Sequence, residues 1–309
     1  MQRDLFVGSS GGTPDLESLD IEYSELQFQR ELSRGAFGVV FLGKHQSRVV
    51  AIKEIHGDGS DEQQRLIMIL QLRREIAALS TLQHPNIVRL YGVCFSPPKV
   101  ALVTEFIRGH TLFGYLKTYA ATPHETREIV CQALEFALQL CRAIGHIHSL
   151  HIVHRDLKSM NVMVEDDTLR LVVIDFGSAR VTRLHESELT AGCGSFRWMA
   201  PELFKSAQYT EKVDVFAFGI MLWELLHPGN LPLAHYPPAG AASAMAFRGL
   251  RPMITTPLAP RLSKLLRSCW AGSPCDRPSF TEIEETLIND AAPLRSPLTK
   301  KSSLLKFLK

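Results

Sequence analysis

Apolar positions along this chain follow two different spacings, and the change comes near residue 109. Before it, short apolar runs bounded by polar or turn-forming residues predict β-strands. These runs cover residues 26–32, 39–42, 49–55, 87–95 and 100–106. Residues 61–82 differ, because their apolar positions recur at helical spacing, with Ser60 placed to cap the start and Pro85 beyond the end. The first part is therefore predicted to be β-rich with one helix.

Beyond residue 109 the apolar spacing is that of helices, most clearly over residues 126–149. Residues 215–226 are almost wholly apolar, but Glu224 interrupts them and they are fewer than the roughly 20 that span a membrane. We expect a buried core helix there. The chain is thus predicted to be α+β, with a small β-rich N-lobe, a larger α-helical C-lobe and a hinge at residues 105–109. Ligands commonly bind in clefts between such lobes.

Composition and charge exclude some partners. The 309 residues include 34 basic and 32 acidic side chains, so the net charge is close to zero and does not favour a nucleic acid as partner. Six cysteines without a C-x-x-C pair, and a start without an apolar signal segment, favour reduced thiols in the cytoplasm or the nucleus. Residues 1–20 are expected to be flexible. Residues 290–309 are expected to form a basic, disordered tail, with a short amphipathic helix as the alternative.

Two polar strings carry the candidate chemistry. One runs from His154 to Asn161, and the other is Asp175-Phe176-Gly177, directly after an apolar stretch. Moving a γ-phosphoryl group requires bound Mg²⁺, an oriented hydroxyl and positive charge on the phosphates. Asn161 and Asp175 offer the hard oxygen ligands that Mg²⁺ prefers, and Asp156 is placed to accept or orient the proton of an acceptor hydroxyl. The strings predict a phosphotransferase.

The N-terminal half offers groups that suit phosphates. Gly35 and Gly38 lie between two apolar runs, where their backbone amides can approach a phosphate, although a hairpin turn would also use them. Ala51 and Lys53 point to one face of the next strand, so the lysine can reach phosphates, unless it is an edge residue. Glu75 on the predicted helix could pair with Lys53, and its alternative is a solvated helix-face glutamate.

With these motifs, residues 21–289 resemble a eukaryotic protein kinase. Ala200-Pro201-Glu202, Asp214-Val215-Phe216 and Arg277-Pro278 follow in the family's order. The resemblance implies the bilobal protein-kinase fold, with an N-lobe at 21–106 and a C-lobe at 107–289. It also implies ATP and Mg²⁺ as cofactors, and a pairing of Arg277 with Glu202.

The resemblance implies a role for each matching residue. The catalytic set is Asp156, Lys158, Lys53 and Glu75. Thr104 is the gatekeeper, residues 105–107 form the adenine-binding hinge, and Ser33 replaces the first glycine of the family's loop, which is expected to weaken nucleotide affinity at most. The ATP-binding set is Leu32, Ser33, Gly35, Gly38, Val40, Ala51, Lys53, Thr104, Glu105, Ile107 and Met163.

The acceptor class and its control also follow from the resemblance. Lys158 is typical of serine/threonine kinases, whereas residues 194–199 mix features of both classes, as in the tyrosine-kinase-like group of mixed-lineage and Raf kinases. Dual specificity, a tyrosine kinase and a pseudokinase scaffold remain alternatives. Arg155 implies a pocket for a phosphate on residues 178–199, with Thr190 the first candidate and Ser187 the second. An upstream kinase or the chain itself would add it, and the partners would be protein substrates.

Overall fold

The computed structural model describes residues 19–35, 38–55, 62–96, 99–181, 195–205 and 209–291. The chain forms two compact units, one ending at Ile107 and one beginning at Arg108. Asp175–Ser178 belong to the first unit, although the sequence placed them in the C-lobe. Within that unit, the carboxylate of Asp175 lies 3.7 Å from Lys53 Nζ.

The first unit contains a five-stranded antiparallel sheet in the order β1-β2-β3-β5-β4, with one helix, α1, after β3. Helix α1 ends earlier than predicted, where the hydroxyls of Ser80 and Thr81 donate to the carbonyls of Ala77 and Ala78. Ser60, its predicted cap, lies outside the described residues. The bounds are β1 Leu26–Gly35, β2 Gly38–His45, β3 Arg48–Ile55, α1 Glu62–Leu79, β4 Leu90–Ser96 and β5 Lys99–Glu105.

Period-two alternation divides this sheet into two faces. Val50 and Ile52 of β3 pack with Val103 of β5 on the buried face, whereas Ala51 and Lys53 point to the other. Burial of this apolar cluster stabilises the unit by about 25 cal/mol per Å² of apolar surface removed from water. The cluster comprises Ile21, Leu26, Val50, Ile52, Cys94, Ala101 and Val103.

The second unit is mainly helical. Its α3 has the predicted bounds and begins with a capping box, in which Glu125 and Glu128 satisfy each other's backbone amides. Its strands pair as β6-β8-β9 and β7-β10. The bounds are β6 Gly109–Thr111, α2 Leu112–Tyr119, α3 Thr126–Ser149, β7 Ile152–Val153, β8 Val162–Glu165, β9 Leu171–Val173, β10 Arg180–Val181, α4 Glu202–Lys205, α5 Lys212–Leu226, α6 Pro238–Arg248, α7 Pro260–Cys269 and α8 Phe280–Ala291.

Helix α5 is the buried centre of the second unit. Residues 213–226 are all buried, so the apolar stretch that the sequence singled out is a core helix, as predicted. No helix in the described part of the chain combines the length and the apolarity that crossing a membrane requires. The α+β prediction, with a sheet in the first unit and helices in the second, is confirmed.

His227, the residue directly after α5, makes hydrogen bonds that only a neutral imidazole ring can make. Its Nδ1 lies 2.9 Å from the Trp223 carbonyl oxygen, and its Nε2 accepts from the backbone amides of Thr255, at 2.9 Å, and Thr256, at 3.3 Å. Nε2 therefore lacks a proton and Nδ1 carries it. Burial lowers the pKa of His227 below its ordinary value.

We expect this histidine to make the protein less stable in mild acid. The unfolded chain takes up a proton at the ordinary pKa of about 6.5, whereas folded His227 stays neutral to lower pH, so the free energy of unfolding falls as pH drops below about 6.5. Urea unfolding at pH 7.5 and 5.5 should show a smaller acid loss in His227→Gln than in the wild type. Exposed His110, changed to Gln, is the control; equal losses in all three proteins would contradict the assignment.

Candidate active site

A lysine and two carboxylates meet in the first unit. Lys53 Nζ on β3 donates to Glu75 Oε2 on α1 at 2.6 Å and lies 3.7 Å from Asp175 Oδ1. Glu75 is 4% exposed, so it does not lie on a solvated helix face. Burial alone would lower the pKa of Lys53, but Glu75 and Asp175 hold it above its ordinary value, so the lysine is charged.

The strand register places the predicted adenine-side residues on the face that carries this lysine. Val40 pairs with Lys53, and Ala51 pairs with Thr104. Directly paired residues share a face, as do alternate residues along a strand, so these four side chains lie together. Strand β3 lies between β2 and β5, so the alternative of an edge lysine is wrong.

The two glycines of the predicted phosphate loop differ. Gly38 has φ +141°, and a Cβ there would collide with the carbonyl oxygen of Glu54 on β3, so the backbone conformation at the start of β2 and its close contact with β3 require glycine. Gly35 pairs with Gly38 between β1 and β2, and a Cβ at Gly35 would meet nothing within 4 Å. A structural requirement therefore explains Gly38 but not Gly35. Ser33 is exposed and pairs with Val40, and Leu32 lies at a register shift of β1, between the paired residues Glu31 and Ser33.

In the second unit, two of the predicted site residues, Lys158 and Asn161, bond to Asp156. Asp156 Oδ2 accepts from Lys158 Nζ at 2.7 Å and from Asn161 Nδ2 at 3.1 Å. The same Asn161 nitrogen donates to the Asp156 carbonyl oxygen at 2.9 Å. The hydrogen bonds from Lys158 and Asn161 do not use Asp156 Oδ1. The two hydrogen bonds that Asn161 donates do not use Asn161 Oδ1. Each residue thus presents one oxygen outside this network.

The ends of short strands place the remaining site residues. Met163 lies on β8, paired with Val172, and Glu105 ends β5 with Ile107 buried two residues later. The carbonyl of Asn161 accepts from the Ile174 amide at 2.9 Å, directly before Asp175. Asp175 has φ +65°, a left-handed conformation that costs a non-glycine residue on the order of 1–3 kcal/mol and is common at functional sites.

Sequence reasoning assigned no site role to Asp214, which supports the loop that leads into Asp156. Its carboxylate accepts from the amides of His154 and Arg155, both at 2.8 Å, and pairs with His148 Nε2 at 2.9 Å. Burial alone would raise the pKa of Asp214, but these hydrogen bonds and the nearby histidines lower it. The motif start at residue 214 was visible in the sequence, but its partners lie about 60 residues away.

Residues 195–198, a short segment before α4, contact the loop that contains Asp156 and Lys158. Lys158 Nζ donates to Ser195 Oγ at 2.7 Å, the same distance as its bond to Asp156. Arg197, in the 3-10 helix Phe196–Trp198, donates to the carbonyls of Pro232, Leu233 and Tyr236 at 2.7–2.8 Å. The predicted phosphosites Thr190 and Ser187 lie outside the described residues.

Arg277 and Glu202 form the pair that the resemblance implied. Two guanidinium nitrogens donate to the two carboxylate oxygens, at 2.6 and 2.8 Å. A bidentate pair of this kind fixes orientation as well as distance.

Comparisons with known proteins agree with this geometry. The family model of the protein tyrosine and serine/threonine kinases matches residues 26–287. The serine/threonine/tyrosine-protein kinase HT1 of Arabidopsis thaliana is 34% identical over 94% of this chain and 73% of its own length. The mouse serine/threonine-protein kinase TNNI3K is 36% identical over 92% of this chain, and a probable serine/threonine-protein kinase of Dictyostelium discoideum is 36% identical over 86%.

The chain spans only 34% of the mouse relative's length and 28% of the Dictyostelium one. Within that span, the predicted protein-kinase fold and the resemblance to serine/threonine kinases of the tyrosine-kinase-like group are confirmed. Such kinases use ATP, generally with a divalent metal, and act on proteins. This chain belongs to the family of protein tyrosine and serine/threonine kinases.

Proposed function

We propose that this chain transfers the γ-phosphoryl group of ATP to serine or threonine hydroxyls of proteins. The observation that carries the proposal is the arrangement around Asp156, whose Oδ2 is held by Lys158 and Asn161 while Oδ1 stays outside those bonds. A carboxylate fixed in this way can orient an acceptor hydroxyl and take its proton. Lys158 supplies positive charge beside the transferred group.

Asn161 and Asp175 would hold Mg²⁺. They fit a hard cation, because each offers oxygen and the Asn161 amide nitrogen is already engaged by Asp156. When bound, the metal neutralises charge on the phosphates of ATP. Chelation with EDTA should therefore abolish transfer, and added Mg²⁺ should restore it.

Lys53 would contact the α- and β-phosphates of ATP, held by Glu75. Leu32, Val40, Ala51 and Met163 would enclose the adenine, Thr104 would act as the gatekeeper, and Glu105 to Ile107 would supply the hinge. Gly35 and Gly38 would bring backbone amides to the phosphates, with Ser33 beside them. The shared sheet face of Val40, Ala51, Lys53 and Thr104 supports this assignment.

The serine/threonine class rests on the lysine between Asp156 and Ser195. Lys158 donates to both at 2.7 Å, so one cation links the proposed base to the segment that precedes α4. Dual specificity is the alternative, because one relative, HT1, is named a serine/threonine/tyrosine-protein kinase.

Regulation and location are proposals from sequence. Phosphorylation at Thr190 or Ser187, by an upstream kinase or by the chain itself, would place a phosphate near Arg155. That guanidinium lies 5.0 Å from the Tyr209 ring centroid, a cation–π contact that helps to orient it. Cys94, Cys131, Cys141, Cys269 and Cys275 are free thiols, which supports the cytoplasm or the nucleus.

Lys53→Met should lower kcat/KM for ATP by roughly 100- to 1,000-fold, because it removes a fixed positive charge from the phosphates. Steady-state transfer to a serine peptide, with ATP varied, measures the effect. Lys44→Met, an exposed lysine on β2, is the matched control and should stay within about twofold of the wild type. Transfer undiminished in Lys53→Met would contradict the role proposed for Lys53, whereas no transfer even by the wild type would favour the scaffold alternative.

A further inference from the structure

Residues 225–275 contain no acidic residue, although basic and acidic residues are almost equal in number over the whole chain. The stretch includes helices α6 and α7 of the second unit. Its five basic residues are Arg248, Arg251, Arg261, Lys264 and Arg267. A chain whose net charge is close to zero thus has a local excess of positive charge, and such an excess favours anionic partners.

Helix α7 presents part of this charge along one side. Arg261, Lys264 and Arg267 are exposed and recur every three residues, a spacing that makes side chains neighbours on a helix surface. Arg261 lies 3.7 Å from Asp290 of α8 and still remains exposed. The buried side of the helix is formed by Leu262, Leu265, Leu266 and Cys269. Helix α7 therefore adds positive charge to the surface of the second unit.

Exposed apolar side chains lie beside this helix. Phe247 is 65% exposed, Leu250 36% and Met253 77%. Arg251, which follows Leu250, donates from Nε to the carbonyl oxygen of Trp270 at 2.8 Å, and Trp270 directly follows α7. This contact brings the apolar segment to the C-terminal end of α7. Basic and apolar side chains thus share one part of the surface.

We propose that this part of the surface binds an anionic membrane. We call it the basic face and define it as residues 247–253 with Arg261, Lys264 and Arg267. Anionic lipid headgroups attract basic side chains, and the boundary with the acyl chains takes up apolar side chains that project from a protein. An acidic polypeptide would match the charges alone, whereas a membrane matches both the charges and the projecting apolar residues. The proposal does not depend on the kinase reaction.

The C-terminal sequence supports the same ligand. Residues 292–309 lie outside the described part of the chain, but their sequence holds five basic residues and no acidic one. Their apolar residues include Leu304, Leu305, Phe307 and Leu308. They follow α8, whose Asp290 lies 3.7 Å from Arg261 at the start of α7, so this tail begins beside the basic face. Peripheral attachment becomes stable when two weak signals combine, and the face and the tail supply two.

Co-sedimentation of the 309-residue chain with vesicles tests the proposal. The chain should bind vesicles that contain phosphatidylserine and not vesicles of phosphatidylcholine alone, and added salt should weaken binding. Lys264→Gln with Arg267→Gln should lower the partition coefficient by roughly 10- to 30-fold, because each basic residue contributes about fivefold. Phe247→Ser with Met253→Ser should lower it by roughly 10-fold or more, because apolar side chains that insert are lost.

Two double variants elsewhere in the chain are matched controls. Lys117→Gln with Arg127→Gln removes the same charge from exposed positions on α2 and α3. Val49→Ser with Leu150→Ser removes two exposed apolar side chains. Both controls should partition like the wild type. Thermal unfolding checks that all four double variants are folded.

Four results would overturn the proposal. They are equal binding to both kinds of vesicle, binding to neither, a loss in the controls as large as in the face variants, and binding that the face variants leave unchanged. In the last case the tail alone would account for attachment. Capture of the chain by immobilised polyglutamate, without vesicle binding, would instead identify an acidic polypeptide as the partner. Phosphorylation of a soluble peptide, measured without vesicles, tests the proposed kinase function separately from all of these results.

Discussion

Asp156→Asn is expected to lower kcat by about 100- to 10,000-fold, because an amide cannot accept the proton of the acceptor hydroxyl. The amide has a single acceptor oxygen, and in Asp156 the Oδ2 position already accepts from Lys158 at 2.7 Å and Asn161 at 3.1 Å. The KM for ATP should change little. Initial rates of peptide phosphorylation, with ATP and peptide varied separately, measure both constants.

Asp167→Asn is the control for this substitution. Asp167 is an exposed residue between β8 and β9, and its variant should match the wild type. A variant Asp156→Asn that keeps more than about a tenth of wild-type kcat would exclude Asp156 as the proton acceptor.

Arg277→Met is expected to lower the free energy of unfolding by about 3–5 kcal/mol, because it leaves a partly buried carboxylate without its cation. The Arg277 side chain is fully buried and donates to Glu202 at 2.6 and 2.8 Å, to the Ala271 carbonyl at 3.0 Å and to the Lys212 carbonyl at 2.8 Å. All of these acceptors lose a donor in the variant.

Urea unfolding measures this effect, and Arg261→Met is its control. Arg261 is 63% exposed and lies 3.7 Å from Asp290, so its loss should cost less than about 1 kcal/mol. The double variant Glu202→Gln, Arg277→Met should be less destabilised than the sum of the two single variants. Equal costs for Arg277→Met and Arg261→Met would show that the buried pair contributes no more than a surface one.

Local patterns predicted the elements and several site positions. Alternation along β3 placed Ala51 and Lys53 on one face, and the register confirms that neighbours from β2 and β5 share it. Helical spacing gave α3 its observed bounds. These predictions depend on contacts within a few residues or between adjacent strands, where sequence spacing fixes direction.

Contacts between residues that lie far apart in the sequence could not be predicted. Asp214 supports a loop about 60 residues earlier in the chain, and Arg197 bonds to carbonyls 35–39 residues later. In the sequence, Glu224 was only an interruption of an apolar helix. In the structure it accepts hydrogen bonds from Ser159 and Trp198, which lie 65 and 26 positions earlier. Asp175 belongs to the first unit, and its carboxylate lies near Lys53, more than 120 residues before it. No periodicity encodes such contacts.

The most direct measurement is transfer of labelled phosphate from ATP, with Mg²⁺, to a degenerate peptide library, with phosphoserine, phosphothreonine and phosphotyrosine scored separately. We expect phosphoserine and phosphothreonine in the wild type and neither in Asp156→Asn. Phosphotyrosine as the main product would contradict the role given to Lys158 and Ser195, and no transfer by the wild type would contradict the proposed function.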